Sequence, residues 1–281
     1  RLQLANIPTP VQQIKFEGTK FLIKRDDYTG TEFSGNKIRK LEYLLYDAQK
    51  MEADYIFTCG GEQSNHARAT AAASVYCGMK PVLFLWGKEQ NNPEGNLFIN
   101  KFLGAEIIYL SRSEYENVNY IMTEYKKKYE KRGKNVYVIP EGGSSILGIW
   151  GYINFINEII KQVDIKKIKN IYIAAGSGGT AAGLLVGAFL NDLKINVKAV
   201  NVLYKKEEIR NKILNLAEGC ISEYNLDTEI NPENLEIISG YSEEGYKNIS
   251  PFKNKTYQEI CGEYGYNSGS RIYRKSFYCI L

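Results

Sequence analysis

The sequence predicts an α/β fold made of two doubly wound, parallel-sheet domains. First, short β-rich runs alternate with longer helical patterns between about residues 53 and 223, the rhythm of strand–helix–strand units. Second, glycine-rich turns follow strands at Cys59-Gly60-Gly61, Pro140–Ser145 and Ala175–Gly179, where the chain must turn tightly before a helix. Third, 281 residues with 44% hydrophobic and 24% charged content can bury a sizeable core without a disulfide framework.

The elements follow in order. A helix opens at about Lys37, behind Gly35-Asn36. Ala53–Cys59 reads as a buried strand, with a helix from about Asn65 to Tyr76. Pro81–Leu85 is a strand, Gly95–Leu103 a short helix and Ala105–Leu110 another strand. A charged helix runs from about Ser113 to Lys131, then a strand over Asn135–Ile139 and a long helix over Ile146–Gln162. Lys169–Ala174 is a strand, followed by a glycine loop and an Ala/Leu-rich helix from about Thr180 to Asn191. Val197–Val202 and a helix from about Glu207 to Glu223 complete the pattern. The Lys/Glu-rich run Tyr125–Lys134 reads as a solvated helix end.

Several function classes are disfavoured. The formal charge of +4 is spread along the chain, with no basic block suited to nucleic acid. No apolar run approaches the roughly 18 residues of a membrane span. The N-terminus is not a signal peptide; it lacks Met, so upstream residues are expected to be missing. Five scattered cysteines and a single histidine, His66, argue against a zinc site and for reduced thiols in the cytoplasm.

Three segments carry chemistry. Phe33–Glu42 sets Lys37 at a helix start with Arg39 and Lys40 close behind, and neighbouring cations and partial burial both disfavour a protonated amine. A free amine forms Schiff bases, so Lys37 is a candidate anchor for an aldehyde; the alternative is a solvated basic helix start. The turn Cys59–His66 opens a helix with small polar residues whose backbone N–H groups attract anions, with Ser64 as hydroxyl donor or simple N-cap. Ala175–Gly183 has the make-up of a phosphate cradle. It is not a Walker loop, and its G-x-G-x-x-A pattern lacks the acidic residue a dinucleotide site expects about 20 residues on, where Lys198–Val202 stands instead. A third turn, Pro140–Ser145, and a late loop with Tyr241 and Tyr246 add polar groups without a defined role. An activated lysine, an anion-binding turn and a phosphate cradle together suggest pyridoxal 5'-phosphate.

The chain resembles the D-cysteine desulfhydrase and 1-aminocyclopropane-1-carboxylate deaminase family of fold-type-II, tryptophan synthase beta-like pyridoxal phosphate enzymes. The matching segments are Pro8-Thr9-Pro10, Ile23–Asp27, Gly35–Glu42, Gln63–Arg68, Gly95-Asn96-Leu97, Leu103–Glu106, Pro140–Ser144, Gly148–Tyr152 and Gly176–Gly183. The resemblance implies that Lys37 is the Schiff-base lysine and moves the proton at the substrate α-carbon. It implies that Asn65 bonds the cofactor's ring hydroxyl, that Gln63, Ser64 and Asn65 face the substrate, and that Gly176, Ser177, Gly178, Gly179 and Thr180 bind the phosphate. Tyr246 is implied to lie over the substrate, as a catalytic residue with Lys37 and Ser64. His66 resembles the desulfhydrase branch, where the cyclopropane deaminases tend to carry Gln. The implied reaction is α,β-elimination of D-cysteine to pyruvate, hydrogen sulfide and ammonia, by a homodimer; deamination of 1-aminocyclopropane-1-carboxylate is the alternative. L-Cysteate elimination, a binding protein without turnover and a dehydrogenase are further readings.

The family continues with a segment resembling Ile-Leu-Asp-Pro-Val-Tyr-Thr-Gly-Lys-Ala. This chain has Tyr266-Asn267-Ser268-Gly269-Ser270-Arg271-Ile272-Tyr273 there. A one-base shift of reading frame near Gly265 can restore the family segment in register. On that reading the tail from about 266 is not native-like, and weak cofactor retention with low turnover is expected. The expected domains are 1–50 with 154–281, and 51–153 inserted as the smaller one.

Overall fold

The computed structural model describes residues 1–30 and 35–240. The chain divides into two compact units, Arg1–Asn6 with Thr29–Gly148, and Ile7–Tyr28 with the chain from Ile149 onward. This differs from the expected 1–50 and 154–281 grouping: residues 1–6 and 29–50, with the first helix, join 51–148, and residues 149–153 fall in the other unit. The first helix moves because of its apolar stripe. Ile38, Leu41, Leu44, Leu45 and Ala48 recur at helical spacing and are buried against Ile56, Ala69, Ala73, Met79 and Ile139.

Strands and helices are numbered along the chain. It opens with an antiparallel hairpin of the second unit, β1 (Val11–Phe16) and β2 (Thr19–Lys24). Glu17 and Gly18 make its two-residue turn with φ of 47° and 80°, the left-handed geometry that matches strand twist.

The first unit contains α1 (Lys37–Lys50), β3 (Tyr55–Gly61), α2 (Asn65–Tyr76), β4 (Lys80–Trp86), α3 (Gly95–Phe102), β5 (Glu106–Leu110), α4 (Arg112–Tyr115), α5 (Val118–Glu130) and β6 (Val136–Val138). Its four strands are parallel in the order β5-β4-β3-β6. Alternate residues of a strand face opposite sides. Thus Ile56 meets α1 and α2, whereas Phe57 and Cys59 join Val118 and Met122 of α5. Helices cover both faces, which explains why β3 and β4 read as continuous apolar runs. The single charged helix expected over 113–131 is two helices. A capping box between Ser111 and Glu114 starts α4, and the Asn117 N–H closes it on the Glu114 carbonyl at 3.0 Å.

The second unit adds α6 (Trp150–Ile160), β7 (Asn170–Ala175), α7 (Gly179–Phe189), β8 (Asn196–Asn201), α8 (Lys206–Glu223) and β9 (Leu235–Ile238). Its parallel sheet has the order β7-β8-β9. The helix expected from Ile146 begins only at Trp150. Ser145 Oγ accepts the Gly148 N–H at 3.1 Å, and a Cβ on Gly148 would lie 2.2 Å from the Gly143 carbonyl oxygen. Residues 146–149 are therefore held in a turn. Glycines at 183 and 187 let α6 and α7 approach, since a Cβ on Gly183 would stand 2.4 Å from Ile149 O and 2.6 Å from Tyr152 Cβ. The hairpin is fastened to α6 by buried polar groups. Lys24 Nζ pairs with Glu158 and reaches Gln162 Oε1 at 2.7 Å. Asp26 accepts from Thr9 Oγ1 at 2.9 Å and from Tyr152 OH at 2.7 Å. Among the described residues no helix is long and apolar enough to cross a membrane.

Candidate functional site

In the first unit the strand order reverses between β3 and β6, since β4 and β5 run to one side of β3 and β6 to the other. Loops at the carboxyl ends of strands flanking such a point form a natural ligand crevice. The two loops here are Glu62-Gln63-Ser64 after β3 and Ile139–Ser144 after β6. The second packs on α1, where a Cβ on Gly143 would lie 3.7 Å from Lys40 Cβ and 3.3 Å from Leu44 Cδ1.

Lys37 is the first residue of α1, and its Nζ donates to Asn36 Oδ1 at 2.8 Å. The residue keeps part of its surface exposed, but its ammonium is enclosed by protein atoms. Burial lowers its pKa to about 8, against the opposing pull of the Glu141 carboxylate. One turn on, Lys40 is fully buried with Nζ 3.4 Å from Ser144 Oγ. Burial, and then repulsion from Lys37, hold it well below the ordinary lysine range. Glu141 Oε1 accepts from Tyr115 OH at 2.8 Å. Burial, then Glu141, push the adjoining Cys59 thiol up to about 12, so it is an inert core thiol rather than a nucleophile.

Ser64 caps α2, its Oγ accepting the Ala67 N–H at 3.2 Å. A Cβ on Gly60 would lie 2.7 Å from Ser64 Oγ, so the glycine makes room for the hydroxyl. Asn65 is the first residue of α2, and its Oδ1 accepts from Asn96 Nδ2 at 3.0 Å. Gln63 is placed differently from expectation. Its Oε1 accepts the Asn96 N–H at 2.9 Å and its Nε2 donates to Glu94 O at 3.0 Å. Both ends of that amide serve the α3 turn, so any contact Gln63 makes with substrate falls to its main chain. His66 is buried next to this turn. Thr58 Oγ1 donates to Ile139 O at 2.9 Å, so it accepts from His66 Nε2 at 2.8 Å. Burial, followed by the Lys40 and Lys37 charges, lowers His66 well below its ordinary value and keeps it neutral.

In the second unit β7 runs into Gly176-Ser177-Gly178 and then α7. Gly178 caps the helix at φ +89°, a left-handed conformation that glycine adopts freely. Among the described residues, a Cβ on Gly176 would meet nothing within 4 Å. The first turn of α7 has no acidic side chain, and its N–H groups with the Ser177 and Thr180 hydroxyls form a donor set suited to a phosphate. Tyr246 and the segment from 266 lie outside the described residues.

Sequence reasoning passed over Lys40, Asn96, Tyr115 and Glu141 as site residues. The signal for Glu141 was present, as a carboxylate in a glycine-rich turn after a strand. Tyr115 had none, because only the fold brings α4 to that turn.

The residues present fit pyridoxal phosphate: the first unit has an enclosed amine with its pKa lowered to about 8 and an oriented Asn65 amide, and the second has a backbone cradle for a dianion. Comparison with known proteins agrees. The model of the pyridoxal-phosphate dependent enzymes matches residues 2–249. A putative 1-aminocyclopropane-1-carboxylate deaminase of Thermotoga maritima is 45% identical over 251 residues, 88% of this chain and 79% of that protein. A bifunctional D-cysteine desulfhydrase/1-aminocyclopropane-1-carboxylate deaminase of Arabidopsis thaliana is 39% identical over 82% of this chain and 61% of its own length. A solved structure described as an ACC deaminase homologue superposes with a TM-score of 0.85 at 34% identity, covering 94% of this chain and 81% of that one. The chain therefore belongs to the pyridoxal-phosphate dependent enzymes of fold type II, with pyridoxal 5'-phosphate as its cofactor.

Proposed function

We propose that this chain eliminates and deaminates a small amino acid, with D-cysteine as substrate and pyruvate, hydrogen sulfide and ammonia as products. The observation that carries the reading is the Lys37 amine, lowered to about 8 by burial, with Glu141 of the loop after β6 near enough to oppose the shift. Pyridoxal phosphate supplies the electron sink that makes the substrate α-hydrogen acidic. Lys37 Nζ would hold the cofactor and, as a free amine, would take the substrate α-proton. Ser64 Oγ, which accepts from Ala67 N–H, directs its own proton to the substrate carboxylate. The Asn65 amide meets the ring oxygen, and the main chain of Gly176–Gly179 with the Ser177 and Thr180 hydroxyls holds the phosphate. Tyr246 completes the substrate side. The working form is a homodimer in a reducing compartment, in keeping with three free cysteines among the described residues.

The preference for D-cysteine rests on His66 and on a D-cysteine desulfhydrase of Salmonella typhi that is 34% identical over 75% of this chain and 66% of its own length. The second reading, deamination of 1-aminocyclopropane-1-carboxylate, is favoured by the names of the Thermotoga relative and of the superposed structure. Borohydride reduction with pyridoxal phosphate followed by peptide mass analysis should place the cofactor on Lys37. Sulfide release from D-cysteine, measured beside 2-oxobutanoate from the cyclopropane substrate, then decides between the two. An adduct on another lysine overturns the assignment, and 2-oxobutanoate without sulfide replaces the first substrate by the second.

A further inference from the structure

We infer that Asn96 is a positioning residue that fixes which end of the Asn65 amide is offered to the cofactor. This rests on the proposed meeting of Asn65 with the cofactor's ring oxygen. Asn96 Nδ2 lies 2.9 Å from the carbonyl oxygen of Gln63, which can only accept. The atom of Asn96 facing it must therefore be the NH2 nitrogen. The same nitrogen lies 3.0 Å from the Asn65 side chain, so the Asn65 atom facing it must be oxygen. The Asn65 NH2 is thereby turned the other way, as a donor. A ring oxygen of the cofactor is an acceptor and needs that end of the amide.

Two further observations separate this from ordinary packing. Asn96 is fully buried, yet its Oδ1 has no hydrogen-bond partner. A buried amide with one end unsatisfied is a poor choice for filling space alone. The polar group is accounted for by the two bonds its nitrogen makes. The α3 turn is also held without the Asn96 side chain, through Gln63 Oε1 to the Asn96 main-chain N–H and Gln63 Nε2 to Glu94 O.

The test is a pyridoxal phosphate titration of the full chain, read by absorbance and protein fluorescence. It compares the unsubstituted chain with Asn96→Asp, Asn96→Leu, Asn65→Ala and the double variant Asn96→Leu/Asn65→Ala. Far-UV circular dichroism and a melting curve accompany each. Asn96→Leu should stay folded with a lowered melting point, because the Gln63 carbonyl loses a donor, and bind the cofactor roughly tenfold more weakly. Asn96→Asp should bind at least as weakly, because a carboxylate draws the Asn65 NH2 toward itself. The double variant should be no weaker than Asn65→Ala alone, since both act through one amide. Unchanged affinity in folded Asn96→Leu overturns the inference, as does a loss that adds in full to that of Asn65→Ala. Should Asn96→Leu not fold, Asn96 is structural and the inference falls. Failure of the unsubstituted chain to form a Lys37 adduct is a different result, and counts against the proposed function.

Discussion

In the first unit the candidate site is a cluster of buried side chains; in the second it is a stretch of main chain. In the first, burial dominates and charge adds to it: Glu141 opposes the lowering of Lys37, Lys37 lowers Lys40, and both lysines lower His66. The loop at Gly176–Gly178 and the start of α7, Gly179-Thr180, carry no titratable side chain. Their property is the direction of N–H groups at a helix start, which glycine permits and packing holds. Chemistry that moves a proton suits the first construction, because a pKa can be tuned. Holding a dianion suits the second, because fixed dipoles do not titrate.

The largest expected effect breaks the first unit's half of this comparison. Lys37→Ala should abolish borohydride-stable attachment at that position and lower turnover by about 10²–10⁴-fold. In the unsubstituted chain the rate of cofactor capture should follow the free amine. It rises with pH up to about 8 and levels off above it. A capture rate that does not change between pH 6 and 8 would show that the amine is not the titrating group.

Next in size is a steric change in the second unit. Gly183→Leu places side-chain atoms where Ile149 O and Tyr152 Cβ already stand, 2.4 and 2.6 Å from the first added carbon. Overpacking of this kind costs about 1–3 kcal/mol, read from denaturant midpoints. The pH midpoint of cofactor capture should remain where it was, because the amine cluster lies in the other unit. A shift in that midpoint would show that the two constructions are not independent.

The smallest effect concerns His66, the chain's only histidine. Its folded pKa lies below the ordinary 6.5, so below that pH the unfolded chain binds a proton that the folded chain does not. Stability therefore falls as pH drops below 6.5, by up to about 1.4 kcal/mol per pH unit. His66→Gln should flatten the pH dependence of the urea midpoint of the cofactor-free protein between pH 5 and about 6.5. An unchanged slope would mean that carboxylates account for the acid sensitivity.

Much of the parallel strand–helix alternation was legible along the chain, because strands buried on both faces read as apolar runs and glycine turns mark where each ends. The β1–β2 hairpin lies before the alternating region and was not read from the sequence. β9 has only four residues and no distinguishing pattern. Lys37 stood out at a helix start, and Ser64, Asn65 and the residues 176–180 at strand-to-helix turns, all with small neighbours. Gln63 stood out for the same reason, yet its amide is bound to the α3 turn, a contact across 31 and 33 residues of chain.

Local order, then, belongs to the sequence: the alternation of periods, the glycines that let the chain turn, and the lysine at a helix start were written in neighbouring residues. Which groups would share a dielectric was decided by the fold. Burial and Coulomb interaction depend on distance in space, and only the parallel sheet of the first unit brings Glu141 and Tyr115 together beside β3 and sets Lys40 against the loop after β6. The same holds for Asn96, whose amide acts on Asn65 across 31 residues of chain and has no sequence signature of its own.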